Sequence, residues 1–292
     1  MPDKKLLLYS QDFEDFILFR ALEGVENGFY VDVGANSPWR FSVTKLFYDL
    51  GWSGINIEPL EDEFQELRKY RPRDVNLNIG AGDHEGEVEF ALSGMSTTCD
   101  LETINRFEGR AQKKTLRVRR LADILLENAK VNQTIHFCKI DVEGYERNVL
   151  EGMDFNLFRP WIFVVEATIP GTGIPCFDKW EGLLLDNRYE FAYSHGINRY
   201  YLDSKCASRD TVRNNFKSLS ASGGALWEGG MSLYGIVTAS QYIELTYNKS
   251  TRNEVLFKYR LYSFLSKIFP IDFFRRKKDK YEKRIIIWNS II

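Results

Sequence analysis

The sequence predicts an α/β fold: a doubly wound, mostly parallel sheet with an antiparallel edge and a C-terminal helical tail. Three observations carry this. Through the first two-thirds of the 292 residues, short apolar runs alternate with amphipathic stretches of helical period. From residue 188 the pattern changes to two aromatic runs around a tight turn, RYEFAYSHGINRYYLD. Near the end, VLFKYRLYSFLSKIF (255–269) sets apolar side chains at 255, 259, 262, 265 and 269 with lysines between, and Pro270 stops it.

In chain order, a helix is expected over Asp12–Glu23, with Ser10 as its N-cap, and a first strand over Phe29–Val33. A helix over Ser42–Asp49, stopped by Gly51, leads to a strand over Gly54–Glu58. The helix Glu61–Tyr70 and the strand Val75–Ile79 follow. Strands are then read at Glu87–Leu92 and Leu116–Arg119, a helix at Leu121–Ala129, and a strand at Ile135–Ile140. The helix Glu146–Gly152, the strand Trp161–Glu166 and the helix Phe177–Asn187 complete the alternation. Residues 93–115 break the rhythm with small and polar side chains and read as an insertion or mobile flap over the sheet's working edge. Residues 204–250 read as irregular and Ser/Gly-rich, and no internal repeat is found.

Composition narrows the function classes. At 44% hydrophobic and 14% aromatic the chain has ample material for a core. Its four cysteines, Cys99, Cys138, Cys176 and Cys206, are widely spaced without a CxxC pair, which argues against a zinc site or disulfide framework and fits a reducing, cytosolic compartment. Acidic residues interrupt the N-terminus before a secretory core forms, and no apolar run reaches the roughly 20 residues that span a bilayer. The net charge of −2 is uneven: residues 252–292 hold eleven Lys and Arg against four Asp and Glu, or +7, leaving −9 for residues 1–251. An acidic body is a poor nucleic-acid binder, because phosphate neutralisation needs a basic face.

The turn YVDVGANSP (30–38) runs from a strand into Asp32, Gly34, Ala35 and Asn36. A dinucleotide site needs three glycines and an approach free of carboxylates. Here a carboxylate stands at the strand end, where it repels phosphate and attracts an ammonium or sulfonium. The next strand ends in Glu58-Pro59, placed like the acid that accepts hydrogen bonds from ribose hydroxyls, with Pro59 redirecting the chain. In NIGAGD (78–83), Gly80, Ala81 and Gly82 leave room for a flat base, and Asp83 can accept from an exocyclic amine. S-adenosylmethionine has all three parts. A lone DxGxN is weak evidence, since an Asp before a glycine turn is usually a plain loop; its combination with a Glu-Pro strand end decides the reading.

Together YSQDFEDFIL (9–18), FYVDVGANSP (29–38), GINIEP (54–59), NIGAGD (78–83), KIDVEGYE (139–146) and HGINRYYL (195–202) resemble the FkbM-type family of S-adenosylmethionine-dependent methyltransferases, in that family's order. The resemblance implies a class I methyltransferase (Rossmann-like) fold and O-methylation of a hydroxyl on a sugar or natural-product scaffold. Asp32, Gly34 and Asn36 match the family's first cofactor motif and Glu58 its ribose-binding acid. Asn36 stands where the commoner pattern has a second glycine, and asparagine tolerates such backbone angles better than most residues. Residues 1–250 are read as the methyltransferase domain and 251–292 as the basic amphipathic tail.

For the chemistry, Lys139 and Asp141 share one strand face, and Glu143 lies on the following turn. Asp141 is expected to meet the cofactor amine or the acceptor, and Glu143 to act as general base. Glu166 reaches the same edge, so Asp141, Glu143 and Glu166 could also hold a divalent cation such as Mg2+ through oxygen ligands. His195, in its turn, is a further proton-transfer candidate, weighed against a solvated bystander. Asn198 and Arg199 are read as contacts to the acceptor, and Gln11 as a lid touching the cofactor. The acceptor reading is a sugar hydroxyl of a surface polysaccharide or glycolipid. A macrolide-like acceptor, methylation on nitrogen, and a non-catalytic nucleoside-binding module stay open. The tail, residues 255–284, suits the anionic inner membrane face; its alternative is a helix packed on the domain or on a second copy in a homo-oligomer.

Overall fold

A computed structural model describes residues 7–93, 96–98, 112–130, 132–221 and 237–238. The chain falls into two units, one of Ser10–Gly223 and one of Met1–Tyr9 with Gly224–Ile292. In the second of these, β1 (Leu7–Leu8) pairs in parallel with β13 (Val237–Thr238). The tail segments 255–269 and 275–284, and Cys99, lie outside the described residues.

Seven strands form the main sheet of the Ser10–Gly223 unit: β2 (Phe29–Val33), β3 (Ser53–Ile57), β4 (Val75–Leu77), β9 (Phe137–Ile140), β10 (Ile162–Glu166), β11 (Tyr189–His195) and β12 (Asn198–Asp203). Their order is β11-β12-β10-β9-β2-β3-β4. All pair in parallel except the edge hairpin: β12 runs antiparallel to both β10 and β11. The parallel strands are largely buried on both faces, one mainly apolar and the other carrying Asp32, Asn56 and Lys139 among its apolar side chains. On one face Val31, Val33, Ile140 and Val165 pack with α4 (Leu121–Asn128) and α5 (Glu146–Glu151) through Leu121, Leu125, Val149 and Leu150. On the other, Phe137 stacks on Tyr30 and meets Phe47 of α2 (Lys45–Asp49). The helix α3 (Glu61–Tyr70) keeps acids in its first turn and Arg68 and Lys69 in its last, which suits its dipole.

Several expectations are corrected. The first helix, α1, spans Glu14–Ala21, and Phe13 in the left-handed region (φ 64°) holds the cap position; Ser10 is engaged instead by Asp15, whose carboxylate accepts from its hydroxyl at 2.6 Å. The helix expected from Ser42 starts at Lys45, because Ser42 and Thr44 turn inward to a buried guanidinium. The strand read to Ile79 ends at Leu77. The chain then enters a separate sheet, β5 (Gly80–Gly82), β6 (Gly86–Ser93), β7 (Ser96–Thr98) and β8 (Gln112–Arg120), in the order β5-β8-β6-β7. Part of the expected 93–115 flap is therefore strand. Cys176 closes the preceding loop, then a 3-10 turn (Phe177–Lys179) precedes α6 (Glu181–Asp186) where one helix was expected. Arg209–Ala221, read as irregular, is the 13-residue helix α7, tied to α1 by Asn215 donating to the Ala21 carbonyl at 3.1 Å. Polar composition hid its apolar stripe of Val212, Phe216 and Leu219.

Beneath β2 and β3 lies a fully buried cation. The Arg71 guanidinium pairs with Asp74 at 3.0 Å and donates to the Tyr30 hydroxyl at 2.7 Å and to Thr44 Oγ1 at 3.0 Å. Asp74 also accepts from Tyr30, Asn56 and the Gly54 amide. The Asp74 carboxylate is thus hydrogen-bonded at both oxygens, the condition under which a buried pair is tolerated. Replacing Arg71→Met leaves Asp74 without its cation, and the free energy of unfolding in urea is expected to drop by about 3–5 kcal/mol.

Candidate active site

The winding reverses between β2 and β9, so their carboxyl ends part to open a crevice. Asp32 and Lys139 are direct cross-strand neighbours there. Lys139 Nζ lies 3.3 Å from Asp32 Oδ1 and 3.5 Å from Asp141 Oδ2, and donates to the Gly34 carbonyl at 2.6 Å. Burial opposes its charge, but Asp141 and Asp32 more than offset this and raise its pKa above the ordinary lysine value. The second Asp32 oxygen accepts from Thr44 at 2.7 Å. Asp32 is thus 1% exposed and already matched to a cation of the chain. Its expected role as the carboxylate free to meet a positively charged ligand is corrected: it anchors Lys139.

The two strand-end loops touch at Gly34. Its φ is +76°, and a Cβ there would fall 1.9 Å from the Asp141 carbonyl oxygen, so only glycine lets the loops meet. Asn36 also adopts a left-handed φ, 50°, which its short polar side chain permits.

The crevice has a volume of about 320 Å³. Gln11, Asp32, Gly34, Ala35, Asn36, Glu58, Pro59, Ala81, Asp141, Glu143 and Glu166 all line it. Glu58 Oε2 accepts from the Asn36 amide at 2.7 Å and Oε1 from the Leu60 amide at 2.8 Å, which fixes its carboxylate at the mouth of β3. Each oxygen keeps a further lone pair for a ligand. Beside it, Leu60 packs with Phe90, and Phe90 meets Tyr145 edge-on at 6.0 Å, making an apolar wall next to Ala81. Leu60, Phe90 and Tyr145 were not anticipated, because the second sheet that presents Phe90 was not.

At the far strand ends the carboxyls crowd. Glu143 sits at φ +55°, followed by Gly144 at +103°, in a turn held from α5: Glu146 Oε1 accepts from the Val142 and Gly144 amides at 3.1 and 3.0 Å. Burial, then Asp141 and Glu146, push the Glu143 pKa up to about 7. Burial, with Asp141 and the two glutamates, pushes Glu166 up to about 11. Glu166 is 4% exposed, and its Oε2 has no hydrogen-bonding partner among the described residues. Burial likewise raises Glu58 to about 7.

Other expected site residues stand elsewhere. Asp83 turns to His84 Nδ1 at 2.8 Å and is not among the lining residues. His195 ends β11 opposite Asn198, outside the lining. Asn198 donates to Glu14 at 2.8 Å, and Arg199 pairs with Glu181 at 2.9 Å while lying over the Phe177 ring; both brace the hairpin. What the hairpin does supply is Ile197, beside Gln11. Among the described residues no three His, Cys, Asp or Glu side chains come together as metal ligands, so the divalent-cation reading of Asp141, Glu143 and Glu166 is corrected. Lys139 meets Asp141 alone of these three, at 3.5 Å.

A doubly wound sheet with an acid-lined crevice at its switch point defines a Rossmann-like α/β protein. The Methyltransferase FkbM domain model matches residues 32–191, and the chain belongs to that family. A crystal structure of Methyltransferase FkbM from Methylobacillus flagellatus KT is similar at 18% identity over 66% of this chain and 48% of that one, with a TM-score of 0.39. The chain thus spans about half that relative's length. No curated protein sequence matches it.

The raised carboxyls set a pH dependence. The folded state binds their protons more tightly than the unfolded chain does, so their contribution to stability is complete below about pH 4.5 and is lost as pH rises through about 7 for Glu58 and Glu143. For Glu166 the loss continues to about 11. Melting temperature is expected to fall from pH 5 to pH 8, and Glu166→Gln, which cannot ionise, to fall less steeply in the same scanning calorimetry series.

Proposed function

We propose that this chain is an S-adenosylmethionine-dependent methyltransferase acting on the oxygen of a hydroxyl, in a sugar of a surface polysaccharide or glycolipid. The observation that carries the cofactor and the reaction is the pairing of a ribose-type acid, Glu58, with two carboxyls, Glu143 and Glu166, that have no cation of their own among the described residues. The donor set fits the cofactor. Glu58 suits ribose hydroxyls, the wall of Leu60, Phe90 and Tyr145 suits a flat base, and the acidic end around Asp141 suits an ammonium and a sulfonium. When bound, S-adenosylmethionine supplies an electrophilic methyl group.

The chain's own residues do the rest. Glu143, titrating near neutrality, is poised to take the acceptor hydroxyl's proton on a carboxylate oxygen, the pKa match a general base needs. Gln11 and Ile197 both line the crevice. The sugar acceptor rests on family membership, and no described helix is long and apolar enough to cross a membrane. Delivery of a glycolipid acceptor by the basic 255–284 segment at an anionic surface belongs to the same proposal.

Isothermal titration is expected to show binding of S-adenosylmethionine and not of NAD; tight NAD binding alone overturns the cofactor. With labelled cofactor and candidate glycans, Glu143→Gln is expected to lower kcat about 10²- to 10⁴-fold. Unchanged turnover removes Glu143 from the base role.

A further inference from the structure

Around the far end of the crevice the chain provides more negative charge than it neutralises. Lys139 is spent on Asp32, Asp141 and the Gly34 carbonyl. Glu146 is occupied by two backbone amides. Glu143 and Glu166 remain, both lining the crevice and neither in an ion pair among the described residues. Glu166 adds a second, independent feature: a buried carboxyl oxygen with no hydrogen-bonding partner among the described residues. The charged and titratable groups that bear on its ionisation are Lys139 and Asp141 from the end of β9, Glu143 from the turn, Glu146 from α5, and Cys176 from the loop after β10, with Asn198 opposite in register on β12. One cation stands among four acids.

We infer that Glu143 and Glu166 form a proton-holding pair whose proton is exchanged for the positive charge of a sulfonium, so that the chain releases a proton on binding S-adenosylmethionine and none on binding S-adenosylhomocysteine. The inference rests on the cofactor proposed above and adds Glu166 to its catalytic residues. An unpaired carboxylate in a low-dielectric wall is costly, and the group takes up a proton instead. A cation arriving within a few ångströms reverses that preference, since opposite charge favours the ionised carboxyl. The amine and carboxylate of the methionine end are common to both nucleosides, so only the sulfonium distinguishes them. The upward displacement of both carboxyl pKa values agrees with a stored proton. When an acceptor hydroxyl later gives up its proton, the same carboxyl pair is there to receive it, returning the wall to its resting charge.

The test is calorimetric titration of the full chain at pH 7 with each nucleoside, in two buffers of different ionisation enthalpy, which yields the number of protons exchanged. Up to about one proton per site is expected to leave with S-adenosylmethionine, and close to none with S-adenosylhomocysteine. The dissociation constant for S-adenosylmethionine should tighten with rising pH, by at most about tenfold per unit, and that for S-adenosylhomocysteine should stay level. In Glu166→Gln and in Glu143→Gln, each confirmed folded by circular dichroism, S-adenosylhomocysteine binding should persist while proton release shrinks; Glu143→Gln, on a turn, serves if the buried substitution does not fold. Equal proton counts for the two nucleosides, or undiminished release in both variants, overturns the inference alone. Binding of neither nucleoside by the unaltered chain overturns the cofactor proposal and the inference with it.

Discussion

One buried ammonium holds the crevice together. Lys139 ties the last turn of β2 to the last turn of β9 by meeting Asp32, Asp141 and the Gly34 carbonyl at once. Without it two acids would face each other across adjacent strands, and the loops that shape the crevice would repel. With it, Asp32 can stay buried beside a cation, Gly34 can rest on the Asp141 carbonyl, and the loop can run on to Asn36 and Glu58. Breaking such a pair from one side costs far more than deleting both members, because the residual charge is stranded.

A second buried cation supports the first from below. Arg71 reaches Thr44, Thr44 reaches Asp32, and Asp32 reaches Lys139, so a continuous chain of hydrogen bonds and charge runs from the end of α3 to the crevice. Arg71, Thr44 and Asp32 each bond or pair to the next, which restrains these side chains against rotation. That rigidity matters for a site that aligns reacting groups, where small displacements are expensive. The same network draws Ser42 and Thr44 inward and delays the start of α2 to Lys45.

Charge then divides the crevice by function. Where Lys139 is at hand, at Asp32 and Asp141, carboxylates are ion-paired; Glu143 and Glu166 have no ion pair among the described residues. The edge hairpin follows the same rule in reverse: Asn198 and Arg199 are consumed by Glu14 and Glu181, and what they contribute is the placement of Ile197 and the N-terminal segment near Gln11.

Local pattern was enough for the parallel strands, the antiparallel edge, and the positions of Asp32, Gly34, Asn36, Glu58, Asp141, Glu143 and Glu166, because strand ends and their turns are written in neighbouring residues. It also placed Lys139 beside Asp141, since period 2 puts them on one face. The partners across the fold were not legible. That Asp32 belongs to Lys139 depends on β2 lying next to β9, more than a hundred residues away in sequence. That Phe90 walls the crevice depends on a second sheet whose strands look like any others. The partners of Asp83, Asn198 and Arg199 were hidden for a like reason: a polar side chain near a motif declares its chemistry in the sequence, but what it bonds to is decided only when other segments pack against it.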